Sequence, residues 1–318
     1  MKKFLIALAA AAATLAAPVG AQSFPAKPIK IVMPTPAGSS SDALARMLGE
    51  QIQKDTGASV VVENRPGALG TIAADLVARS APDGYTLHMS SVSTHGQVPH
   101  LLKKVPYDAI KDFEHVARLA VFEWLIVADP AKYKSLQDLV AAAKKEPGKL
   151  TFAYGTASSL AGVAEFNKLA GIEALGVGYK GQPLALTDVA AGRVDYMLVD
   201  VNVSAPMIAG GRLKPLAVAA PKRAPLLPQV PTMAEAGMPA FEFIGWVGLS
   251  APANTPPATV KWISDHVQAA LAKPELYKRL TGAAITPAFM PTAEFKGFVA
   301  SEVTRWGKRI SEAGIQPE

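Results

Sequence analysis

The sequence predicts an α/β protein of two lobes, each a doubly wound, mostly parallel sheet flanked by helices. Three observations carry that expectation. Short apolar runs alternate with runs whose apolar residues recur every three or four positions, the strand and helix periods. The resulting β-α-β order occurs in two separate series, as parallel sheets with crossover helices require. The chain of 318 residues exceeds what one small core needs.

In the first series Ile29–Met33 is an apolar run suited to a buried strand. Leu44, Leu48 and Ile52 follow at four-residue spacing, one helix face, and Gly57 supplies a common helix end. Residues 59–63 (SVVVE) read as strand, 64–67 (NRPG) as loop and 70–80 as helix. Pro82-Asp83-Gly84 then turns the chain into a third strand, 85–89. The second series begins near Val116. Strands are expected at 121–128, 150–154, 174–179, 194–199 and 216–220, with helices at 136–145, 158–171 and 184–191. A proline-rich passage, 221–231, leads to an extended run at 243–250, and amphipathic helices at 257–273 and 292–313 close the chain. The expected division is 22–118 with 232–318 as one lobe and 119–231 as the other.

Residues 1–21 have a basic start (MKK), an apolar run and a small-residue end at Ala21, the marks of an export signal cleaved near Ala21. An uncleaved anchor is the alternative, but the apolar run falls short of the ~20 residues of a membrane span. The chain contains no Cys, which excludes disulfides, thiol chemistry and lipid attachment through cysteine. A bacterial periplasm is the expected compartment. Net charge is +6, or +4 without Lys2 and Lys3, and the basic residues are scattered without interleaved aromatics. That pattern argues against nucleic acid as a partner.

The stretch PTPAGSSSDALAR, 34–46, lies between a strand end and a helix start, where open α/β sheets place ligands. Either Ser39, Ser40 and Ser41 include a nucleophile, or the loop offers amides and a helix dipole to an anion. The nucleophile reading lacks the G-x-S-x-G elbow and a histidine in a catalytic context. Ser40, Ser41 or Asp42 can instead cap the helix. A second loop, Tyr154-Gly155-Thr156-Ala157-Ser158-Ser159, likewise follows a strand and opens a helix. Two such ends across a cleft could hold one acidic molecule, or both are ordinary βα turns. His88, His95 and His100 lack the i, i+4 pairing of zinc motifs, so no metal is expected.

Further segments carry a resemblance. They are Asp42-Ala-Leu-Ala-Arg46, Glu63-Asn64-Arg65-Pro66-Gly67-Ala68-Leu69-Gly70, Pro82-Asp83-Gly84-Tyr85-Thr86-Leu87, Tyr179-Lys180-Gly181, Ala191-Gly192-Arg193-Val194-Asp195 and Gly248-Leu249-Ser250-Ala251-Pro252. Together they resemble the Bug-type extracytoplasmic solute-binding receptors of tripartite tricarboxylate transporters, along essentially the whole chain after residue 21. The resemblance implies a two-lobed, Venus-flytrap periplasmic binding fold, type II-like, with a small carboxylate in the interlobe cleft. It also implies no catalysis, no cofactor, and membrane transporter components as partners of a monomeric receptor. A receptor of the same fold feeding a sensor kinase is the alternative, and a secreted serine hydrolase the remote one.

In that family two βα loops hold the ligand largely through amides and ordered waters. Carried onto this chain, they offer Thr35, Ala37, Gly38, Ser39, Ser40, Ser41 and Asp42, and Tyr154, Gly155, Thr156, Ala157, Ser158 and Ser159. The family commonly has two glycines in the first loop, whereas this chain has Ala37-Gly38 followed by three serines. Ser90 and Ser91 follow the third strand and either line the cleft or form a plain polar loop. Asp200, at another strand end, either orients the ligand or caps the next turn. Tyr179 and Lys180 are candidates for the cleft wall, with a solvated charge the alternative for Lys180. Trp246 is expected in core packing rather than at a hinge or an aromatic wall.

Overall fold

The computed structural model describes residues 24–317, so the expected export segment lies outside the described residues. Among the described residues no helix is long and apolar enough to cross a membrane. Two parallel trios of strands organise the molecule. In the first, β1 (Ile29–Met33) lies between β2 (Val60–Asn64) and β3 (Thr86–Ser91), with α1 (Ser40–Thr56) and α2 (Thr71–Ala78) in the crossovers. In the second, β5 (Thr151–Tyr154) lies between β6 (Leu175–Gly178) and β7 (Tyr196–Asp200), with α5 (Ala157–Ala170) and α6 (Gln182–Ala190) in the crossovers. The periodicity seen in sequence is realised directly. Leu44, Leu48 and Ile52 of α1 are buried against the first sheet, each such side chain stabilising the fold by about 1.5–3 kcal/mol.

Between the trios runs β4 (Phe113–Ala128), 16 residues long. Its first part, through Glu123, pairs antiparallel with β9 (Ile244–Pro252); from Trp124 onward it pairs antiparallel with β7 and with β8 (Lys214–Val218). One strand thus belongs to both sheets. The expected strand at 121–128 is only its end, because Glu114, His115, Arg118 and Glu123 interrupt the apolar pattern. His115 is buried against Ser250, and the Arg118 guanidinium donates to the Ala288 carbonyl. The expectation of mostly parallel sheets is corrected to mixed ones. Strands that pass between sheets pair with neighbours running the opposite way, and only the outer trios stay parallel.

Helix α4 (Leu136–Lys145) falls where the sequence placed it, as do α8 (Pro257–Leu271) and α10 (Thr292–Glu312). Helices α3 (Val98–Leu101), α7 (Val201–Ala209) and α9 (Pro274–Gly282), strand β10 (Thr286–Met290) and a π-helical turn at Val92–Gln97 were not anticipated. Most are short, and α7 carries Pro206 in its interior, which weakens a helical reading.

Candidate functional site

The first loop is built by its own polar residues. Pro34 and Pro36 end β1, and Gly38, at φ +81°, turns the chain back. Ser39 then adopts extended angles and caps α1, its hydroxyl accepting from the Asp42 amide at 3.3 Å. Asp42 reciprocates by accepting from the Gly38 amide at 3.1 Å, and it also takes Arg46 at 3.0 Å and Asn64 Nδ2 at 2.9 Å. Burial works to raise the Asp42 pKa, but Arg46, Asn64 and the Gly38 amide outweigh it and hold the carboxyl below its ordinary value. Thr35 Oγ1 bridges Ser39 Oγ at 2.7 Å and Ser41 Oγ at 3.0 Å. Among the described residues the amides of Ser40 and Ser41 have no protein acceptor, as expected of a first helical turn.

The second loop is capped more completely. Thr156 and Ser159 form a reciprocal capping box at the start of α5, and the Ser159 hydroxyl also accepts from the Gly155 amide at 3.0 Å. The Ala157 amide donates to Ser93 Oγ at 3.2 Å, leaving the Ser158 amide without a protein acceptor among the described residues.

Both helix starts open onto one cavity of about 120 Å³ between the two sheets. Thr35, Ser39, Ser40, Ser41, Ser91, Gly155, Thr156, Ser158, Tyr179 and Asp200 line it, as do Lys180 and Gln182. The remaining expected residues do not. Ala37 and Gly38 shape the turn without facing the cavity. Asp42 is turned to Arg46 and Asn64, and Ser159 to its own loop. Ala157 is buried beneath the start of α5. Tyr154 packs its ring beside Phe152 and over Gly178. Ser90 is fully buried and accepts from Ser250 Oγ at 2.9 Å, because its side chain points to the sheet face away from the cavity.

Sequence reasoning missed the cavity floor. Phe122 and Trp124 point to it from β4, Val247 from β9, and Met89 and Val92 from β3 and the π-helical turn. Alternation along β4 and β9 could have marked Phe122, Trp124 and Val247, had the pairing been known. Gly245 pairs with Phe122 and lies under the indole; a Cβ there would stand 2.7 Å from Trp124 Nε1. Trp246, one residue on, points its ring to the other face. There it packs edge-on against Phe295 and Phe298 and donates Nε1–H to buried Glu302 at 2.8 Å. Core packing is its main role.

The lobes also touch directly. Ser40 Oγ meets Asp200 Oδ1, and Asn202 Oδ1 at 3.0 Å; Ser158 Oγ donates to Gln97 Oε1 at 2.8 Å. The Pro36 ring packs where a side chain on Gly181 would stand. Burial pushes the Asp200 carboxyl up, against Ser40, the Val203 amide and Gln182, which favour its ionised form. None of Ser39, Ser40 and Ser41 hydrogen-bonds a histidine among the described residues.

A family model described as the tripartite tricarboxylate transporter family receptor matches residues 44–315. Protein BugT of Bordetella pertussis is 34% identical over 98% of this chain and 97% of its own length. Among solved structures, an R. palustris protein with adipate superimposes with a TM-score of 0.89 at 30% identity, covering 93% of this chain and all of that one. The periplasmic binding protein BugD gives a TM-score of 0.87 at 29% identity over 93% of this chain and all of that one. MatC from Rhodopseudomonas palustris with bound malate gives 0.84 at 31% over 90% of this chain and all of that one. With its two-lobed α/β fold, its cleft between paired helix starts and these relatives, the chain belongs to the tripartite tricarboxylate transporter receptor family, a family of solute-binding receptors and not of enzymes.

Proposed function

We propose that this receptor captures a small carboxylate in the periplasm and presents it to the membrane components of a tripartite tricarboxylate transporter. Its lobes are taken as 22–118 with 232–318 and 119–231, and it acts as a monomer after cleavage near Ala21. The observation that carries the reading is the meeting of two helix starts, α1 and α5, on one cavity, with the amides of Ser40, Ser41 and Ser158 unpaired among the described residues. Helix starts favour negative charge through those amides and the dipole. Lys180, exposed and without an ion-pair partner among the described residues, stands at the rim. Met89, Val92, Phe122, Trp124 and Val247 offer an apolar surface to the carbon chain of the ligand. The adipate and malate of the structural relatives are small carboxylates of this kind.

A thermal-shift screen of the mature protein over mono-, di- and aromatic carboxylates tests the reading. At a hundredfold excess over Kd a ligand adds about 2.7 kcal/mol of stability, readily seen as a raised Tm. At least one carboxylate is expected to do so. Stabilisation by neutral sugars or amines alone contradicts the reading.

A further inference from the structure

Ser40 has one hydroxyl proton and two oxygen neighbours from the opposite lobe, Asp200 Oδ1 and Asn202 Oδ1 at 3.0 Å. The orientation of the Asn202 amide is fixed from its other side, where Nδ2 donates to the Ala283 carbonyl at 2.5 Å. Asn202 Oδ1 is therefore an acceptor, and a Ser40 proton given to it is not available to Asp200. The contact between Ser40 Oγ and Asp200 Oδ1 then needs a second proton, and Asp200 is the group that can supply it.

We propose that Asp200 is protonated when the cleft is closed, donating to Ser40 as Ser40 donates to Asn202, so that closure on a carboxylate takes up one proton. The proposal rests on the receptor reading and adds a residue that sets the charge state of its site. The surroundings agree. Asp200 is 6% exposed, lines the cavity, and faces Trp124 across the β4–β7 register. From α6 it meets Gln182, and from its own α7 the Val203 amide at 3.2 Å. Of the other charged groups nearby, Asp42 is taken by Arg46, and Asp188 by Arg193 and Tyr179, while Lys180 stands exposed at the rim. No cation is paired with Asp200 among the described residues, and burial alone already favours its neutral form. An ionised Asp200 would set a second negative charge beside a bound carboxylate; a protonated one removes that repulsion.

Two measurements on the mature protein decide this. In the first, carbon-13 carboxyl titration follows Asp200, assigned by the resonance lost in Asp200→Asn. With saturating malate or adipate the resonance is expected to show its protonated shift at neutral pH, and to lose it without ligand and in Ser40→Ala. An Asp200 carboxyl still fully ionised at neutral pH with bound malate or adipate overturns the proposal. In the second, calorimetry with malate and adipate in buffers of different ionisation enthalpy counts protons. Uptake of about one proton is expected, with affinity rising about tenfold as pH falls from about 7.5 to 6.5. Asp200→Asn cannot ionise at this position, so whatever binding it retains is expected without proton uptake. Binding by the wild type without proton uptake overturns the proposal and leaves the receptor reading standing. No heat from either dicarboxylate counts against these two as ligands, and both measurements are then made with the carboxylate that raises Tm.

Discussion

Three histidines outside the cavity, His88, His95 and His115, cluster beside Thr94, His88 stacked on His95 and His115 edge-on to it, each pair with ring centroids 5.5 Å apart. All three are buried, and one ring nitrogen of each has no hydrogen-bond partner among the described residues. Burial pushes His88 down to about 3 and His115 to about 4; His95 is held well below its ordinary value by burial first and then by the other two rings. Rings held neutral in the fold take up no proton, whereas those of the unfolded chain do below about pH 6.5. Their stability contribution is full above that pH and falls as pH drops toward the folded values, by about 1.4 kcal/mol per unit for each ring. Urea midpoints are expected to fall steeply from about pH 7 to 5, with a shallower slope in His95→Gln. A flat profile contradicts the buried, neutral trio. Glycine substitutions separate two kinds of cost. Gly38 has φ +81° and no described atom within 4 Å of where a Cβ would stand, so Gly38→Ala costs backbone strain, about 1–2 kcal/mol. A Cβ on Gly155 would stand 2.3 Å from the Gly181 carbonyl carbon and 2.5 Å from the Gln182 nitrogen. Gly155→Ala must push the start of α5 from α6, at the upper end of about 1–3 kcal/mol, and is expected to weaken binding as well. Urea unfolding and titration of the two variants compare them, and a larger loss in Gly38→Ala contradicts this ranking.

Helices α1 and α5 start the same way, with a hydroxyl cap and a polar residue three positions on that reaches back. Removing the cap of α5 in Thr156→Ala is expected to cost about 1 kcal/mol in urea unfolding, and Thr156→Ser to cost less. An equal loss in both would show that the methyl group, not the hydroxyl, matters. These two helix starts were legible because a strand, a run of small residues and an amphipathic helix follow one another within about fifteen residues, all local signals. The cavity floor was not. Phe122, Trp124 and Val247 become neighbours only because β4 and β9 pair antiparallel, and nothing local to either strand encodes that register. The turn of Asp42 away from the cavity was hidden for a related reason: its partner Asn64 comes from the end of β2, which tertiary pairing brings alongside β1. The π-helical turn at Val92–Gln97, which contributes Thr94 and Ser93 to the cavity, has no periodicity distinguishable from a loop.

Across the whole molecule, β4 carries the chain from one sheet to the other at Glu123–Trp124, with β9 beside it on the first sheet. Helix α10 clasps α5 through Arg309, which donates to both Glu165 oxygens at 3.1 and 2.5 Å. Motion about such a join would open the Ser40–Asp200 and Ser158–Gln97 contacts while leaving each parallel trio intact. Small-angle scattering is expected to show a smaller radius of gyration with saturating carboxylate than without it; identical profiles contradict closure by ligand. The central claim is that two helix starts hold a negative charge between the lobes. Calorimetric titration of the best-stabilising carboxylate beside its amide, the same skeleton without the charge, tests it most directly. The expected result is saturable one-to-one binding of the acid and none of the amide at the same concentrations. Equal affinity for acid and amide would contradict it.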